Sequence, residues 1–434
     1  MTHAVDANHP DVCIIGAGFS GVCAAKALLQ RGIAFDCFEK GSKLGGMWRY
    51  ENDSGLSSAY RSLHIDSSRK SLGYPDFAVS AELPDYLSHE QVLAHLEAYA
   101  DKFGVTSRIT YGTEVLKVEP TDDARWNVTL GNGEVRNYGS VVVANGHLWA
   151  PRMAAFPGQF TGTQLHSHHY RTAAPFEGQD VLIVGIGNSA VDIAVDLCRQ
   201  ARSVTVSTRR GAWIMPKYIM GIPTDRWGAF IANKLKLPTP WIRAIMGKLM
   251  VLAVGNQERV GVPKPDHPIW REHACVSQDL LPYVGHGWIG IKRNVRELQG
   301  DHVLFEDGSR ARFDAIIYAT GYETMFPFLD PGVFAVQGDG ARLYRRIAAP
   351  NRPGLYFVGL VQPIGPTIPL VEIQSRWLAD LLAGKFRLPD AAAMEAEIDS
   401  HERQRQRYVD SARYALEVDF REHAKALRRD MAAH

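Results

Sequence analysis

What this sequence lacks narrows its function first. It has no uninterrupted apolar run of bilayer length. Its most apolar stretch, Trp227 to Val254, carries Lys234, Lys236, Arg243 and Lys248, which excludes a simple membrane-spanning helix. Residues Met1 to Pro10 are polar and hold no apolar leader segment. Cysteine is scarce: the five present (Cys13, Cys23, Cys37, Cys198 and Cys275) form no Cys-x-x-Cys pair. That excludes a dithiol redox centre and points to a reducing, cytoplasmic setting. The formal net charge is +1 with no basic block, so nothing is built to neutralise a nucleic-acid backbone. His166, His168 and His169 crowd together without carboxylates or cysteines at ligand spacing, so no metal site is expected. At 434 residues the chain is long enough for two or three domains with ample cores.

What is present is glycine in two particular places. Asp11-Val12-Cys13-Ile14-Ile15 is a short apolar run of the kind a parallel strand buries on both faces. It leads into Gly16-Ala17-Gly18-Phe19-Ser20-Gly21. In such a turn Gly16 permits the sharp exit, Gly18 lets backbone approach a pyrophosphate, and Gly21 lets the next helix, Val22 to Leu29, pack close to the strand. The helix N-terminus then offers free N–H groups and partial positive charge to phosphate. A second apolar run, Ala34 to Phe38, ends at Glu39, about twenty positions past the glycines, where a carboxylate holds a ribose hydroxyl.

The device recurs. Asp180 to Val184 leads into Gly185-Ile186-Gly187-Asn188-Ser189-Ala190, with a helix expected over Val191 to Arg199. The following strand, Ser203 to Ser207, ends in Thr208-Arg209-Arg210 instead of an acid. A carboxylate there would repel a 2′-phosphate, whereas a guanidinium pairs with it bidentately. The first turn therefore reads as an FAD site and the second as an NADPH site, with Arg209 the stronger 2′-phosphate candidate and Arg210 a solvated neighbour.

Further buried strands ending in tight turns lie at Ser140 to Ala144 before Asn145-Gly146, at Phe313 to Tyr318 before Ala319-Thr320-Gly321-Tyr322, and at Gly354 to Gly359. A helix is expected behind the last, over Val371 to Leu382. The economical arrangement is an α/β fold with two Rossmann-like dinucleotide-binding domains of the three-layer ββα type. The NADPH domain (171–309) is inserted into a discontinuous FAD domain (1–170 plus 310–434). Glu114 to Val118 and Trp126 to Leu130 read as a hairpin branching off the FAD sheet. About 213–265 reads as a helical insertion that covers the NADPH domain, lines a substrate tunnel or forms a dimer contact, with a membrane-surface role left open. Pro263 to Pro268 reads as a rigid loop. A homodimer is allowed.

These residues resemble the class B flavoprotein monooxygenases, in particular the flavin-containing monooxygenases. Phe160-Thr161-Gly162 through His166 to Tyr170 matches that family's FxGxxxHxxxY/F fingerprint, and Gly45-Gly46-Met47-Trp48 matches its GGxW segment. Ser207 to Trp213 and Ala319 to Tyr322 match two further motifs. The related Baeyer–Villiger group continues the fingerprint with Trp-Pro, whereas Tyr170 is followed here by Arg171. At one point the chain is closer to that group: His64-Ile65-Asp66-Ser67-Ser68 has an Asp where the flavin-containing branch usually has Asn.

The resemblance implies FAD and NADPH as cofactors and a small molecule and O2 as substrates. It also implies a C4a-(hydro)peroxyflavin that oxygenates soft nitrogen or sulfur nucleophiles. To the glycines, Phe19, Ser20 and Glu39 it adds Lys40, Gly46, Met47, Trp48, His64, Val115 and Gln362 on the FAD side. Gly185, Gly187, Asn188, Ser189, Ala190, Thr208 and Arg209 hold NADPH. Asp66 and Asn145 are the catalytic candidates, with His147 a weaker one. The protonation of Asp66 would bias chemistry toward sulfur and nitrogen or, ionised, toward ketones; alternatively Asp66 caps a turn beside Ser67 and Ser68. Baeyer–Villiger oxidation of ketones and a non-oxygenating NADPH oxidase or reductase are the competing functions. A pyridine-nucleotide disulfide reductase shares the two-turn layout but needs a redox cysteine pair that is absent.

Overall fold

Apolar runs with no polar face cannot sit at a solvated sheet surface, and here they form the centres of two parallel sheets covered on both sides. The computed structural model describes residues 10–434 apart from 236–238, 268, 270–273, 337–339, 407–415 and 433–434. Of the expectations above, most of the polar N-terminal segment, Lys236 and Pro268 lie outside the described residues.

The first sheet has five parallel strands in the order Leu355–Phe357, Ser140–Val143, Val12–Ile15, Asp36–Phe38, Ile109–Thr110. One face packs on helices Phe19–Leu29 and Thr367–Leu382 through Val22, Cys23, Leu28, Val371 and Trp377. The other face packs on a three-stranded antiparallel sheet, Val115–Pro120, Trp126–Leu130 and Val135–Tyr138, through Ile15, Phe38, Val118, Trp126 and Val143. The expected hairpin thus gains a third strand.

The second sheet repeats the plan. Its five parallel strands run Thr163–His166, Ala315–Tyr318, Asp180–Val184, Ser203–Thr208, Ile289–Arg293. Helix Asn188–Leu197 covers one face through Val191, Ile193 and Leu197. A four-stranded sheet of Gly158–Phe160, Val295–Gly300, His302–Phe305 and Arg310–Arg312 covers the other through Leu182, Val303 and Phe305. Both bodies are therefore sheet–sheet–helix sandwiches, the fold class expected.

The pairing draws this second body wider than boundaries at 170 and 310. Thr163–His166 joins it as an edge strand because Gln164, Leu165 and His166 pair with Ile316, Ile317 and Tyr318. Both nucleotide-type helices begin earlier than the expected Val22 and Val191, at Phe19 and Asn188. Glycine at the cap leaves the first-turn N–H groups free, so the helix starts within the turn itself. The second helix also stops at Leu197, two residues short of Arg199. The insertion is only partly helical: short pairs Ile214–Met215, Tyr218–Ile219 and Ile222–Pro223 precede helices Thr224–Leu235 and Thr239–Val254. Among the described residues no helix is long and apolar enough to cross a membrane.

Candidate functional site

The two glycine turns have the same local mechanics. Gly16 has φ +100° and a Cβ there would lie 2.8 Å from the Ala144 carbonyl oxygen; Gly185 has φ +121° and its Cβ would lie 2.4 Å from that of Ala319. Each carbonyl follows the neighbouring strand, so each turn is squeezed between strand ends and only glycine fits. Gly18 and Gly187 are the helix caps; neither helix has a side-chain cap or an acidic residue in its first turn. Their free N–H groups and positive dipole ends are left for an anion.

On the first sheet the GGxW segment closes over the turn. Gly45 donates its N–H to the Ala17 carbonyl at 3.0 Å, and a Cβ on Gly46 (φ +54°) would come within 3.1 Å of the Gly18 Cα. Trp48 meets Phe19 edge-on at 6.5 Å. Glu39 is buried, accepting from Ala17 N at 2.7 Å and Gly41 N at 2.8 Å. Burial raises its carboxyl above the usual range, opposed by those two backbone N–H groups. Each oxygen keeps a lone pair to accept a ribose hydroxyl. This backbone cradle, built where side chains would collide, fits the pyrophosphate and ribose of FAD.

Other first-site candidates lie around the same loop in unequal roles. Ser20 lies under Gly359, where a Cβ would come within 1.9 Å of its Oγ. Met47 accepts at its carbonyl from Ser57 Oγ at 2.8 Å. Lys40 is exposed and pairs with Glu114 at 2.9 Å. Val115 is buried in the three-stranded sheet. Gln362 donates its N–H to the Leu416 carbonyl at 2.8 Å. Asn145 Nδ2 donates to the Met325 carbonyl at 3.2 Å. The partly buried His147 imidazole is pushed down to about 4 by loss of solvent, opposed by a backbone hydrogen bond with Gly359, and is neutral at pH 7.

On the second sheet, Asn188 spends its side-chain oxygen on Val276 N at 3.0 Å. Ala190 is fully buried. Thr208 is buried at the strand end and its hydroxyl donates to the Arg210 carbonyl. Arg209 is exposed beyond it and makes no ion pair among the described residues, so its guanidinium is available to a phosphate.

Asp66 comes from the long excursion between two strands of the first sheet, Asp36–Phe38 and Ile109–Thr110, ahead of helix His89–Lys102. It caps no turn: its Oδ1 is sealed from solvent with no hydrogen-bond partner, and the backbone N–H of Ser68 goes instead to Asp225 at 2.8 Å. Burial first, then the like charge of Asp192, pushes the Asp66 carboxyl up to about 8, with Lys217 opposing. His64, close by, is exposed and its Nδ1 lies 2.9 Å from the Ser62 carbonyl.

Asp192 was not anticipated from the sequence, nor were Tyr60 and Lys217. Asp192 and Asp196 stand one helical turn apart on helix Asn188–Leu197. The Tyr60 hydroxyl donates to Asp192 at 2.7 Å and the Tyr170 hydroxyl to Asp196 at 2.6 Å. The two rings meet edge-on at 5.9 Å. Tyr170, last residue of the fingerprint, is therefore a brace for this helix. The only sequence sign is two aspartates spaced i, i+4 on a helix that is otherwise apolar after Asn188 and Ser189. The histidines of the fingerprint pack against aromatic rings: His166 and His168 lie 5.3 and 5.9 Å from Tyr322.

Comparison with known proteins agrees with this geometry. A family model described as "FMO-like: Flavin-binding monooxygenase-like" matches residues 9–433. Flavin-containing monooxygenase 5 of Rattus norvegicus is 33% identical, over 94% of this chain and 80% of its own length. Dimethylaniline monooxygenase [N-oxide-forming] 2 of the same organism is 32% identical, over 89% of this chain and 76% of its own. The structure of S-allyl-L-cysteine S-oxygenase from Allium sativum superposes with a TM-score of 0.73 at 27% identity, covering 97% of this chain and 88% of that one.

Proposed function

The chain belongs to the flavin-binding monooxygenase-like family and is an FAD-dependent, NADPH-using monooxygenase; from that premise we propose that it oxygenates soft sulfur or nitrogen centres of small molecules. The redox chemistry, hydride uptake from NADPH and activation of O2, is supplied by bound FAD. The protein contributes binding, orientation and control of protons.

In this reading the Gly16–Gly21 turn, the Gly45–Trp48 segment and Glu39 hold FAD, with Lys40, His64, Val115 and Gln362 around them. The Gly185–Ala190 turn, Thr208 and Arg209 hold NADPH. The domain division follows sheet membership: an FAD domain up to about 157 and from about 320, and an NADPH domain between them. Five free thiols, four of them buried, suit a cytoplasmic setting.

The observation that carries the choice of chemistry is Asp66, whose Oδ1 is enclosed without a donor. A carboxyl in that position is stabilised by keeping its proton, and a neutral acid can donate it. A local proton source favours oxygen transfer to an electron-rich sulfur or nitrogen over nucleophilic attack on a carbonyl. The names of the N-oxide-forming and S-oxygenating relatives point the same way. Asn145, beside the Gly16 turn and anchored to the backbone of Met325, supplies a fixed amide on the flavin side. Ketone oxidation is the second reading and is favoured only where Asp66 is ionised.

The test is product partition between a methyl thioether and a cyclic ketone offered together, from about pH 6 to about pH 9. Sulfoxide should dominate at the acid end, and the ester share should grow through about 8, where Asp66 loses its proton. Ester dominating at all pH values would replace this reading with the second.

A further inference from the structure

Helix Asn188–Leu197 is held by two tyrosine–aspartate pairs, but they face different surroundings. The Tyr170–Asp196 pair lies wholly within the second body, fingerprint to helix. The Tyr60–Asp192 pair crosses between bodies, joining residues 132 positions apart. Tyr60 opens the loop that carries Asp66. That loop is fixed to the insertion as well, since Ser68 N donates to Asp225 and the Tyr86 hydroxyl to the Lys217 carbonyl. Two half-buried carboxyl groups, Asp66 from the loop and Asp192 from the helix, thus feel each other and the same lysine, Lys217. Two negative charges and one positive charge leave a net negative site sealed at one oxygen, a costly arrangement unless a proton is retained.

We propose that Asp192 is a positioning residue for the nicotinamide nucleotide: it anchors the nucleotide-binding helix, through the Tyr60 hydroxyl, to the loop that carries the unpartnered Asp66 carboxyl, so that nucleotide binding at this helix is linked to the proton on Asp66. This rests on reading the second glycine turn as the NADPH site.

The partition of the one proton follows from the partners. Burial raises the Asp192 carboxyl too, but the Tyr60 hydroxyl, Lys217 and His64 oppose that rise, with Asp196 adding to it from one turn away, so Asp192 is the better placed of the two to give up its proton. Asp66 faces Asp192, Lys217 and the Tyr60 hydroxyl, and its Oδ1 receives no donor. Its carboxyl is therefore raised in the docked state relative to an open, solvated one. An acid whose docked value is raised favours docking below its ordinary range and loses that contribution as pH climbs toward the docked value. Nucleotide binding should accordingly weaken between mildly acidic pH and about 8.

The test uses the purified holoenzyme without oxygen or substrate. Difference infrared spectra read the carbonyl stretch of a buried carboxylic acid, assigned by its loss in Asp66→Asn. NADP+ affinity is measured over the same pH range. Wild type should show the band at neutral pH and lose it near 8, with affinity falling in step and nearly flat in Asp66→Asn. Asp192→Asn should move the midpoint down by about one unit or more, Lys217→Met should move it up, and Asp196→Asn should move it by less than half as much as Asp192→Asn. Asp196→Asn loses an equivalent tyrosine partner charge, so it isolates coupling to Asp66 from mere loosening of the helix. If Asp192→Asn does not fold, the upward shift in Lys217→Met decides alone. A midpoint unmoved by either variant, or no protonated acid at neutral pH, overturns the proposal. These readouts need no oxygenation, so an inactive enzyme with the expected shifts would contradict the proposed substrate class and leave this coupling intact.

Discussion

The two glycine turns differ little in backbone and much in what ends the neighbouring strand. Both leave a helix N-terminus without a side-chain cap, and both press a left-handed glycine against a neighbouring strand's carbonyl. At the first, the strand ends in a buried Glu39 already bonded to Ala17 and Gly41 of the loop itself. At the second it ends in an exposed Arg209 bonded to nothing described. On the proposed assignment, the group that selects the first cofactor is thus part of the fold, and the one that selects the second is an addition to it. Losing the first should damage protein and cofactor together, while losing the second should touch only the choice of nucleotide.

The largest expected difference lies at the third small residue of each turn. A Cβ on Gly21 would sit 1.8 Å from the Gly16 carbonyl oxygen, whereas Ala190 carries a Cβ at the matching position and is fully buried with it. Gly21→Ala should cost about 3 kcal/mol and release FAD, read by denaturation and by flavin absorbance after desalting. Ala190→Gly should cost only about 1 kcal/mol and keep FAD. Comparable losses in both would break the distinction between the turns.

The strand-end residues come next. Glu39→Ala strips acceptors from two buried N–H groups and should cost about 2 kcal/mol along with flavin retention. Arg209→Ala should leave thermal stability unchanged and raise the KM for NADPH about tenfold, with little effect on NADH. If Arg209→Ala weakens both nucleotides equally, Arg209 does not meet a 2′-phosphate.

Where the two bodies meet, pH supplies a further contrast. A carboxyl raised in the folded state stabilises the fold least at high pH, since the unfolded chain has already given up that proton. The contribution of Asp66 to stability should therefore decline from about pH 4 to about pH 8, and Asp66→Asn should gain on wild type by about 2 kcal/mol or more across that range. Equal pH curves would mean Asp66 is solvated. The smallest effect belongs to the exposed Lys40–Glu114 pair: Lys40→Ala should change stability by less than about 0.5 kcal/mol.

The same contrast explains what could be read from the chain. The glycine turns, their flanking strands and Glu39 were legible because each rests on residues adjacent in sequence, and backbone sterics leave few alternatives. The layering of both bodies followed from apolar runs. The pairing of Thr163–His166 with Ala315–Tyr318 is not legible in the sequence because three of its four residues are polar and most of it stays exposed. Helix starts were placed late because an uncapped start at a glycine carries no cap signal. Asp192, Tyr60 and Lys217 escaped notice because their meeting depends on how two distant segments dock. An aspartate on a helix otherwise reads as a solvated face. Asp66 was singled out by resemblance, yet its sealed oxygen, the feature that gives it chemical weight, is visible only in three dimensions.

The most direct test of the central claim is to supply NADPH, a methyl thioether and isotopically labelled O2 to the purified enzyme, and to follow label and nucleotide together. Incorporation of one labelled oxygen atom into sulfoxide for each NADPH oxidised is the expected result. NADPH consumed with matching hydrogen peroxide and no label in sulfoxide, amine oxide or ester would contradict it and identify an oxidase.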